Sequence, residues 1–164
     1  MPVKAGDKLP EGRFDIMRDG KPCSISTDEL FGGKKIVLIS VPGAFTPTCS
    51  MSHLPGFVKY ADEIIAKGVD TIACMAVNDV FVMHAWGKDQ GVGDKILMLA
   101  DGNGDYVRAL GLELDSRRFN MGIRGQRFAM IVEDGVATHV AVEEPAKFDA
   151  SKAEAILEAL TGTS

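Results

Sequence analysis

The sequence has few cysteines, no long apolar run and no excess of positive charge. Its three cysteines, Cys23, Cys49 and Cys74, form no CxxC pair and no cluster with histidine at the spacing of zinc ligands. A disulfide scaffold and a structural metal site are therefore not expected, and no cofactor is predicted. No stretch of about 18 uninterrupted apolar residues occurs, so we expect no membrane-spanning helix.

The charge balance excludes a further class of partner. Eighteen Lys and Arg stand against 23 Asp and Glu, for a net charge of -5, which gives no electrostatic footprint for nucleic acid or an anionic membrane. The N-terminal segment lacks the apolar core of a signal peptide, so a cytoplasmic location is expected. A composition of 46% hydrophobic and 25% charged residues is typical of a globular chain, and the length predicts one domain over 1–164.

Short apolar runs indicate strands that are covered by helices on both faces. The runs lie at 36–41, 71–77, 96–100 and 128–132. Asp134-Gly135 then predicts a hairpin into a strand over 136–142, and Asp19-Gly20 predicts an earlier hairpin.

Helices fit between these runs. One apolar stripe has helical spacing and comprises Leu54, Phe57, Val58, Ala61, Ile64 and Ile65. Pro55 predicts a kink or a fresh start in that helix, and Gly68 is a plausible stop. Asn78-Asp79 is expected to cap a second helix. Ser151 and Glu154 form the capping-box pattern of a last one. The alternation predicts a three-layer α/β domain with a central mixed sheet flanked by helices.

The segment SVPGAFTPTCSMSH, from Ser40 to His53, carries the strongest chemical signal. Thr46 is predicted as a helix N-cap with Pro47 at the first helical position. Cys49 then falls in the first turn, where unpaired amides stabilise the thiolate, which is the nucleophilic form of cysteine. The alternative is that Cys49 is a small buried apolar residue.

The spacing Pro42-x-x-x-Thr46-x-x-Cys49 resembles the active-site signature of the peroxiredoxins. The longer string VPGAFTPTCS, followed by HLPGF and VNDxFVMxAW, is similar to the subfamily that includes the atypical type II and type V enzymes. This resemblance extends from about Gly6 to Leu160. It implies a thioredoxin-like fold and a peroxidase that reduces hydrogen peroxide and small alkyl hydroperoxides. It also implies a homodimer with contacts near Phe45 and Trp86.

The resemblance assigns a role to each residue of the motif. Cys49 would be the peroxidatic cysteine, which cycles through sulfenic acid, and Thr46 would orient the thiolate and the peroxide. Pro42 would shape and shield the pocket. Arg127 matches the family's distal arginine, whose rigid guanidinium would bind the thiolate and donate hydrogen bonds to the peroxide. The simpler alternatives are a helix cap for Thr46, a loop corner for Pro42 and a surface ion pair for Arg127.

Other polar residues near the motif are assigned ordinary roles. His53 follows Cys49 by four residues and could act as a base, but helical side chains lean towards the N-terminus, so packing or a structural hydrogen bond is favoured. Arg124 could brace the site or pair with an acidic group. The string DGNGDY at 101–106 matches no phosphate-binding motif and predicts a plain turn.

Recycling of the sulfenic acid is predicted to need an external thiol. Cys74 lies in an apolar run and is expected to be a core thiol, and Cys23 follows a turn. The type V branch has a resolving cysteine before the last helix, but PAKFDASKAEAIL contains none here. Glutathione with a glutaredoxin, or a thioredoxin, would therefore reduce the enzyme. No glutaredoxin domain follows before Ser164, so a separate donor is expected.

Two other functions stay open from the sequence. A redox sensor or holdase chaperone could use the same oxidisable cysteine, and a nucleotide-binding module could have a similar α/β pattern. The set of Pro42, Thr46, Cys49 and Arg127 favours catalytic turnover, because a sensor needs no donors that stabilise a transition state.

Overall fold

The computed structural model describes residues 2–47, 52–144 and 147–162. Within these ranges a seven-stranded mixed sheet comprises β1 (Arg13–Arg18), β2 (Lys21–Ser26), β3 (Lys35–Ser40), β4 (Thr71–Ala76), β5 (Ile96–Ala100), β8 (Phe128–Glu133) and β9 (Val136–Val142). The spatial order is β2-β1-β5-β4-β3-β8-β9, with β3, β4 and β5 parallel and the other pairings antiparallel. A separate small ribbon pairs β6 (Glu113–Asp115) with β7 (Ile123–Gly125).

Helices cover both faces of the sheet. They are α1 (Thr27–Phe31), α2 (Leu54–Ala66), α3 (Val80–Asp89), α4 (Asp105–Ala109) and α5 (Ala153–Gly162). One apolar core joins α2, α3 and α5 to the sheet, and a second joins α1 and α4 to its other face. This arrangement confirms the predicted three-layer α/β fold. No helix in the described ranges is both long enough and apolar enough to cross a membrane.

Strand β3 shows why the central strands are continuous apolar runs. Successive side chains of a strand point to opposite faces. Val37 and Ile39 therefore enter the core under α2 and α5, while Ile36 and Leu38 enter the opposite core. All four are fully buried, as expected of a strand covered on both sides.

Both predicted hairpins are confirmed by their turn geometry. Asp19 and Gly20 connect β1 to β2, and Asp134 and Gly135 connect β8 to β9. All four residues have positive φ values of 47° to 79°. Such values at both central positions match the type I′ turns that suit the twist of antiparallel strands.

The stripe predicted for α2 is confirmed except at one position. Leu54, Phe57, Ala61 and Ile64 are buried, whereas Ile65 is 40% exposed. Consecutive helical residues are about 100° apart, and Ile65 therefore points past the edge of the buried face. The predicted fresh start at the proline is also found, because α2 begins at Leu54 with the proline in its first turn.

The predicted end cap is confirmed in one helix and wrong in another. Asp79 caps α3 by accepting a hydrogen bond from the Val82 N–H at 2.8 Å. The capping box predicted for α5 is wrong, because the helix begins two residues after Ser151. The Lys152 carbonyl accepts the first helical hydrogen bond, from the Ile156 N–H, while the Ser151 hydroxyl donates to Glu143.

Two short helices went unrecognised in the sequence. Helix α1 has a capping box formed by Ser26 and Glu29. The turn predicted at 101–106 leads directly into α4, whose first amides, from Tyr106 and Val107, donate to the buried Asp101 carboxylate. Both helices have five residues, which is too short for a clear helical stripe.

The sheet topology brings distant segments to one edge. The parallel strands β3, β4 and β5 all end there, which is where ligands bind in open α/β sheets. Strand β8 runs antiparallel to β3, with Phe128 opposite Ser40. The residue before β8, Arg127, therefore enters at the same edge as the loop that follows β3.

Substitution of neighbouring isoleucines tests the orientation of α2. We expect Ile64→Ala to lower the free energy of unfolding by about 2–5 kcal/mol, because it opens a cavity in the core. Ile65→Ala removes the same atoms from an exposed position and should cost less than about 1 kcal/mol. Urea denaturation at one protein concentration measures both. Equal losses would contradict the assigned orientation.

Candidate active site

The loop after β3 folds back on itself. The Val41 N–H continues the ladder by donating to the Met75 carbonyl at 3.2 Å. The chain then turns, and the Thr46 hydroxyl donates to the Gly43 carbonyl at 2.7 Å. Pro47 already has helical backbone geometry, as predicted for the position after Thr46. The Thr46 side chain is thus held by its own loop.

Close packing at Gly43 leaves no room for a side chain. A Cβ atom added there would lie 3.2 Å from Thr46 Cγ2 and 3.3 Å from Met121 Cε. Glycine therefore allows the loop backbone to approach Thr46 closely. Any larger residue would displace the threonine or the methionine.

The same loop contains a strained residue. Phe45 has a φ of 64°, in the left-handed region, and its ring is 52% exposed. This conformation costs on the order of 1–3 kcal/mol in a bulky residue and persists only where surrounding contacts impose it. One such contact is the hydrogen bond from the neighbouring Ala44 N–H to Asn78 Oδ1, at 3.0 Å.

Asn78 is thus a positioning residue that the sequence reading assigned to a different task. It lies two residues after the end of β4, and its pairing with Asp79 suggested a helix cap. The structure divides the tasks: Asp79 caps α3, and Asn78 holds the β3 loop. The available signal was its place just beyond a parallel strand, at the edge where functional loops meet.

Arg124 braces this edge, one of the two roles predicted for it. Its Nε donates to the Met121 carbonyl at 2.7 Å, and its Nη1 donates to the Val77 carbonyl at 3.0 Å. In the described part of the chain its recorded partners are therefore backbone carbonyls rather than an acidic group. The guanidinium joins the end of β4 to the segment before β7.

Arg127 contacts His53, which lies four residues after Cys49 in the sequence. Arg127 Nη1 lies 2.9 Å from His53 Nδ1, and His53 Nε2 lies 3.1 Å from the Ser151 carbonyl oxygen. A carbonyl only accepts hydrogen bonds, so Nε2 carries the proton and Nδ1 accepts from the guanidinium. The ring of Phe148 lies 5.9 Å from the centre of the Arg127 guanidinium, within cation–π range.

The surroundings of His53 keep its imidazole neutral. Burial of the ring, followed by the positive charge of Arg127, lowers the pKa of His53 to about 3. Both ring nitrogens already have partners. This geometry favours the structural hydrogen bond predicted for His53 over direct action as a base.

Glu143 fixes the segment that supports His53. This buried carboxylate accepts hydrogen bonds from the N–H groups of Asp149, Ala150 and Ser151 and from the Ser151 hydroxyl. Burial raises the pKa of Glu143, but the hydrogen bonds from Ser151, Asp149 and Ala150 together lower it by more. The pKa of Glu143 is therefore below its ordinary value. The Glu143 N–H also donates to the Arg127 carbonyl at 2.9 Å.

Two of the three cysteines lie in the described residues, and their surroundings differ. Cys49 lies outside the described residues. Cys74 is fully buried in the central strand β4, opposite Ile39, as expected of a core thiol. Cys23 is half-buried on β2, at the far edge of the sheet. Four strand spacings, or about 19 Å, separate β2 from β3, the strand that precedes the motif.

Pro42 and Trp86 are the remaining residues that the resemblance singled out. Pro42 is half-buried in the loop after β3. Trp86 is fully buried in the core, and the exposed aromatic residue in the same helix, α3, is Phe81. Phe119 is exposed and lies under the Arg118 guanidinium at 4.6 Å. Across the described ranges, no group of three or more His, Cys, Asp or Glu could hold a metal ion.

Known proteins share both the sequence and the fold. Residues 4–157 match the Redoxin family. The chain is 44% identical to peroxiredoxin-2D of Arabidopsis thaliana, over 97% of this chain and 99% of that protein. It is 48% identical to peroxiredoxin-2C of Oryza sativa subsp. japonica, over 97% and 99% of the two chains.

Solved structures agree. Reduced Prx3 from Vibrio vulnificus, in complex with H2O2, has a TM-score of 0.93 and 49% identity, covering 96% of this chain and 99% of that one. A 1-Cys peroxiredoxin of Plasmodium falciparum has a TM-score of 0.91 and 34% identity, covering 98% and 99%. The sheet, its flanking helices and these matches define a thioredoxin-like redox protein. The chain belongs to the peroxiredoxins, which are thiol-dependent peroxidases.

Substitution of Asn78 tests how the strained loop is held. We expect Asn78→Ala to cost about 1–3 kcal/mol of unfolding free energy, because the Ala44 N–H loses its acceptor. Asn78→Asp keeps an oxygen at the same position and should retain most of the stability. Chemical denaturation compares the two variants. An alanine variant as stable as the wild-type protein would show that the hydrogen bond contributes little.

Proposed function

We propose that Cys49 is the peroxidatic cysteine and that Thr46, Pro42 and Arg127 form its pocket. The observation that carries this proposal is the Arg127–His53 hydrogen bond. It ties a cation from the start of β8 to a residue four positions after Cys49. On the other side, Cys49 follows the tethered Thr46 by three positions.

The reaction begins with attack of the Cys49 thiolate on one oxygen of the peroxide. An S–O bond forms as the O–O bond breaks, so sulfur is oxidised to sulfenic acid and the peroxide is reduced. The departing oxygen carries the negative charge and leaves as water or an alcohol after it takes up a proton. Hydrogen bonds from Arg127 would stabilise that charge in the transition state. The Thr46 hydroxyl, whose proton is donated to the Gly43 carbonyl, would orient the peroxide by accepting a hydrogen bond from its O–H.

The substrates are hydrogen peroxide and small alkyl hydroperoxides. The tight packing of the loop after Pro42, where a Cβ added at Gly43 would lie 3.2 Å from Thr46 Cγ2, supports a preference for small molecules. The Vibrio vulnificus neighbour is described in complex with H2O2, which agrees with this substrate class.

An external thiol completes the cycle. It condenses with the sulfenic acid, which releases water and leaves a mixed disulfide on Cys49. A second thiol then releases the Cys49 thiolate and a disulfide of the donor. The burial of Cys74 and the remote position of Cys23 support this one-cysteine cycle, as does the neighbour described as a 1-Cys peroxiredoxin. Glutathione with a glutaredoxin, or a thioredoxin, is the proposed donor.

The enzyme is further proposed to act as a homodimer. The exposed Phe45 ring lies on the loop beside the site and offers an apolar anchor, while Trp86 offers none because it is buried. The cytoplasmic location, for its part, stays a prediction from the sequence.

Replacement of each cysteine tests the cycle. Cys49→Ser should abolish peroxide consumption and leave the fold intact, while Cys74→Ser and Cys23→Ser should keep most of the activity with a glutaredoxin or thioredoxin couple. Mass spectrometry after one equivalent of peroxide should show sulfenic acid on Cys49. Loss of turnover in a folded Cys74→Ser variant would disprove the one-cysteine cycle. Failure of the wild-type protein to turn over with any donor would favour a redox sensor.

Replacement of Arg127 tests its electrostatic role. We expect Arg127→Ala to shift the formation of the Cys49 thiolate to higher pH, because a nearby cation favours the charged form. Ultraviolet absorbance of the thiolate, measured during a pH titration in a Cys23→Ser/Cys74→Ser background, follows this change. An unchanged titration would remove Arg127 from the proposed pocket.

A further inference from the structure

We propose that His53 is a positioning residue that holds the Arg127 guanidinium as a neutral hydrogen-bond acceptor. This inference rests on the proposed function of Arg127 and adds a residue that the reaction steps above do not use. His53 is a fully buried titratable side chain beside the site, and both of its ring nitrogens have partners.

The backbone fixes which nitrogen carries the proton. The Ser151 carbonyl accepts from Nε2, and this leaves the lone pair of Nδ1 facing Arg127. The opposite tautomer would place two N–H groups against each other and an unprotonated nitrogen against a carbonyl. A single tautomer is therefore imposed from the side opposite the guanidinium.

The support behind Ser151 is itself fixed. Glu143 accepts hydrogen bonds from the N–H and the hydroxyl of Ser151. The rings of Phe57 and Phe148 contact the imidazole edge-on, with centroids 5.6 Å and 5.1 Å away. The imidazole can neither rotate nor slide without breaking one of these contacts.

A neutral acceptor has an electrostatic advantage at this position. A carboxylate would form an ion pair with the guanidinium and cancel much of its field. An imidazole orients the Arg127 fork while leaving its positive charge for an anion, here the thiolate and the developing oxyanion. In a partly buried site that difference is large, because charges are weakly screened.

Two substitutions at His53 separate positioning from simple packing. His53→Gln keeps a neutral acceptor and a donor on one side chain, and His53→Leu has a similar volume but neither group. We expect His53→Leu to lower the second-order rate constant for Cys49 oxidation by about 10- to 100-fold, because the guanidinium is no longer aimed. Its thiolate titration should also move to higher pH.

The glutamine variant should stay within about threefold of wild type in rate and keep the wild-type thiolate titration. His84→Gln, a substitution outside the site, is the matched control and should change neither quantity. A folded His53→Leu variant with wild-type rate and titration would overturn the proposal. A glutamine variant as slow as the leucine variant would also overturn it.

A direct measurement on the wild-type protein covers the case in which His53→Leu fails to fold. Nitrogen-15 NMR of the histidine rings should show His53 protonated only at Nε2, with no titration between about pH 5 and pH 8. A proton on Nδ1, or titration in that range, would overturn the proposal. If the NMR result holds but peroxide does not oxidise Cys49, the proposed function fails while the arrangement of His53 and Arg127 stands.

Discussion

The proposed site depends on one partly buried hydrogen bond between a permanent cation and an uncharged ring. Arg127 is brought to the sheet edge by the start of β8, and His53 meets it from the turn before α2. The imidazole is held from behind by the Ser151 carbonyl, and Ser151 is held in turn by Glu143. Elements that are far apart in the chain therefore act as one support for a small reaction centre.

Much of the fold could be predicted because the chain alternates apolar runs with clear turn residues. Continuous apolar runs predict buried strands such as β3, and the Asp-Gly pairs predict both hairpins. The short helices α1 and α4 were not predicted, because five residues are too few to show a helical repeat of apolar residues. The cap of α3 was predicted correctly at Asn78-Asp79, although the sequence could not tell which of the two residues forms it. The cap of α5 was misassigned because the Ser151 hydroxyl donates to Glu143 rather than accepting from the helix.

The residues of the candidate site could be predicted from the sequence only where they lie close together in the chain. Pro42, Thr46 and Cys49 lie in one motif, and resemblance to a known family supplied Arg127. The hydrogen-bond partners of these residues could not be predicted, because they are brought together by strand pairing rather than by their spacing in the sequence. Asn78 reaches the loop because β3 and β4 are neighbours, and Glu143 supports the site because β9 ends beside the start of β8.

The antiparallel register of β8 on β3 also has a consequence for the newly made protein. Ribosomal synthesis delivers the motif around Cys49 nearly eighty residues before Arg127, and pairings between such distant segments form late in folding. A nascent or partly folded chain therefore has its thiol without the guanidinium that would activate it. On the proposed role of Arg127, sensitivity to peroxide would be acquired only when the C-terminal hairpin joins the sheet, so reactivity would mark a completed molecule.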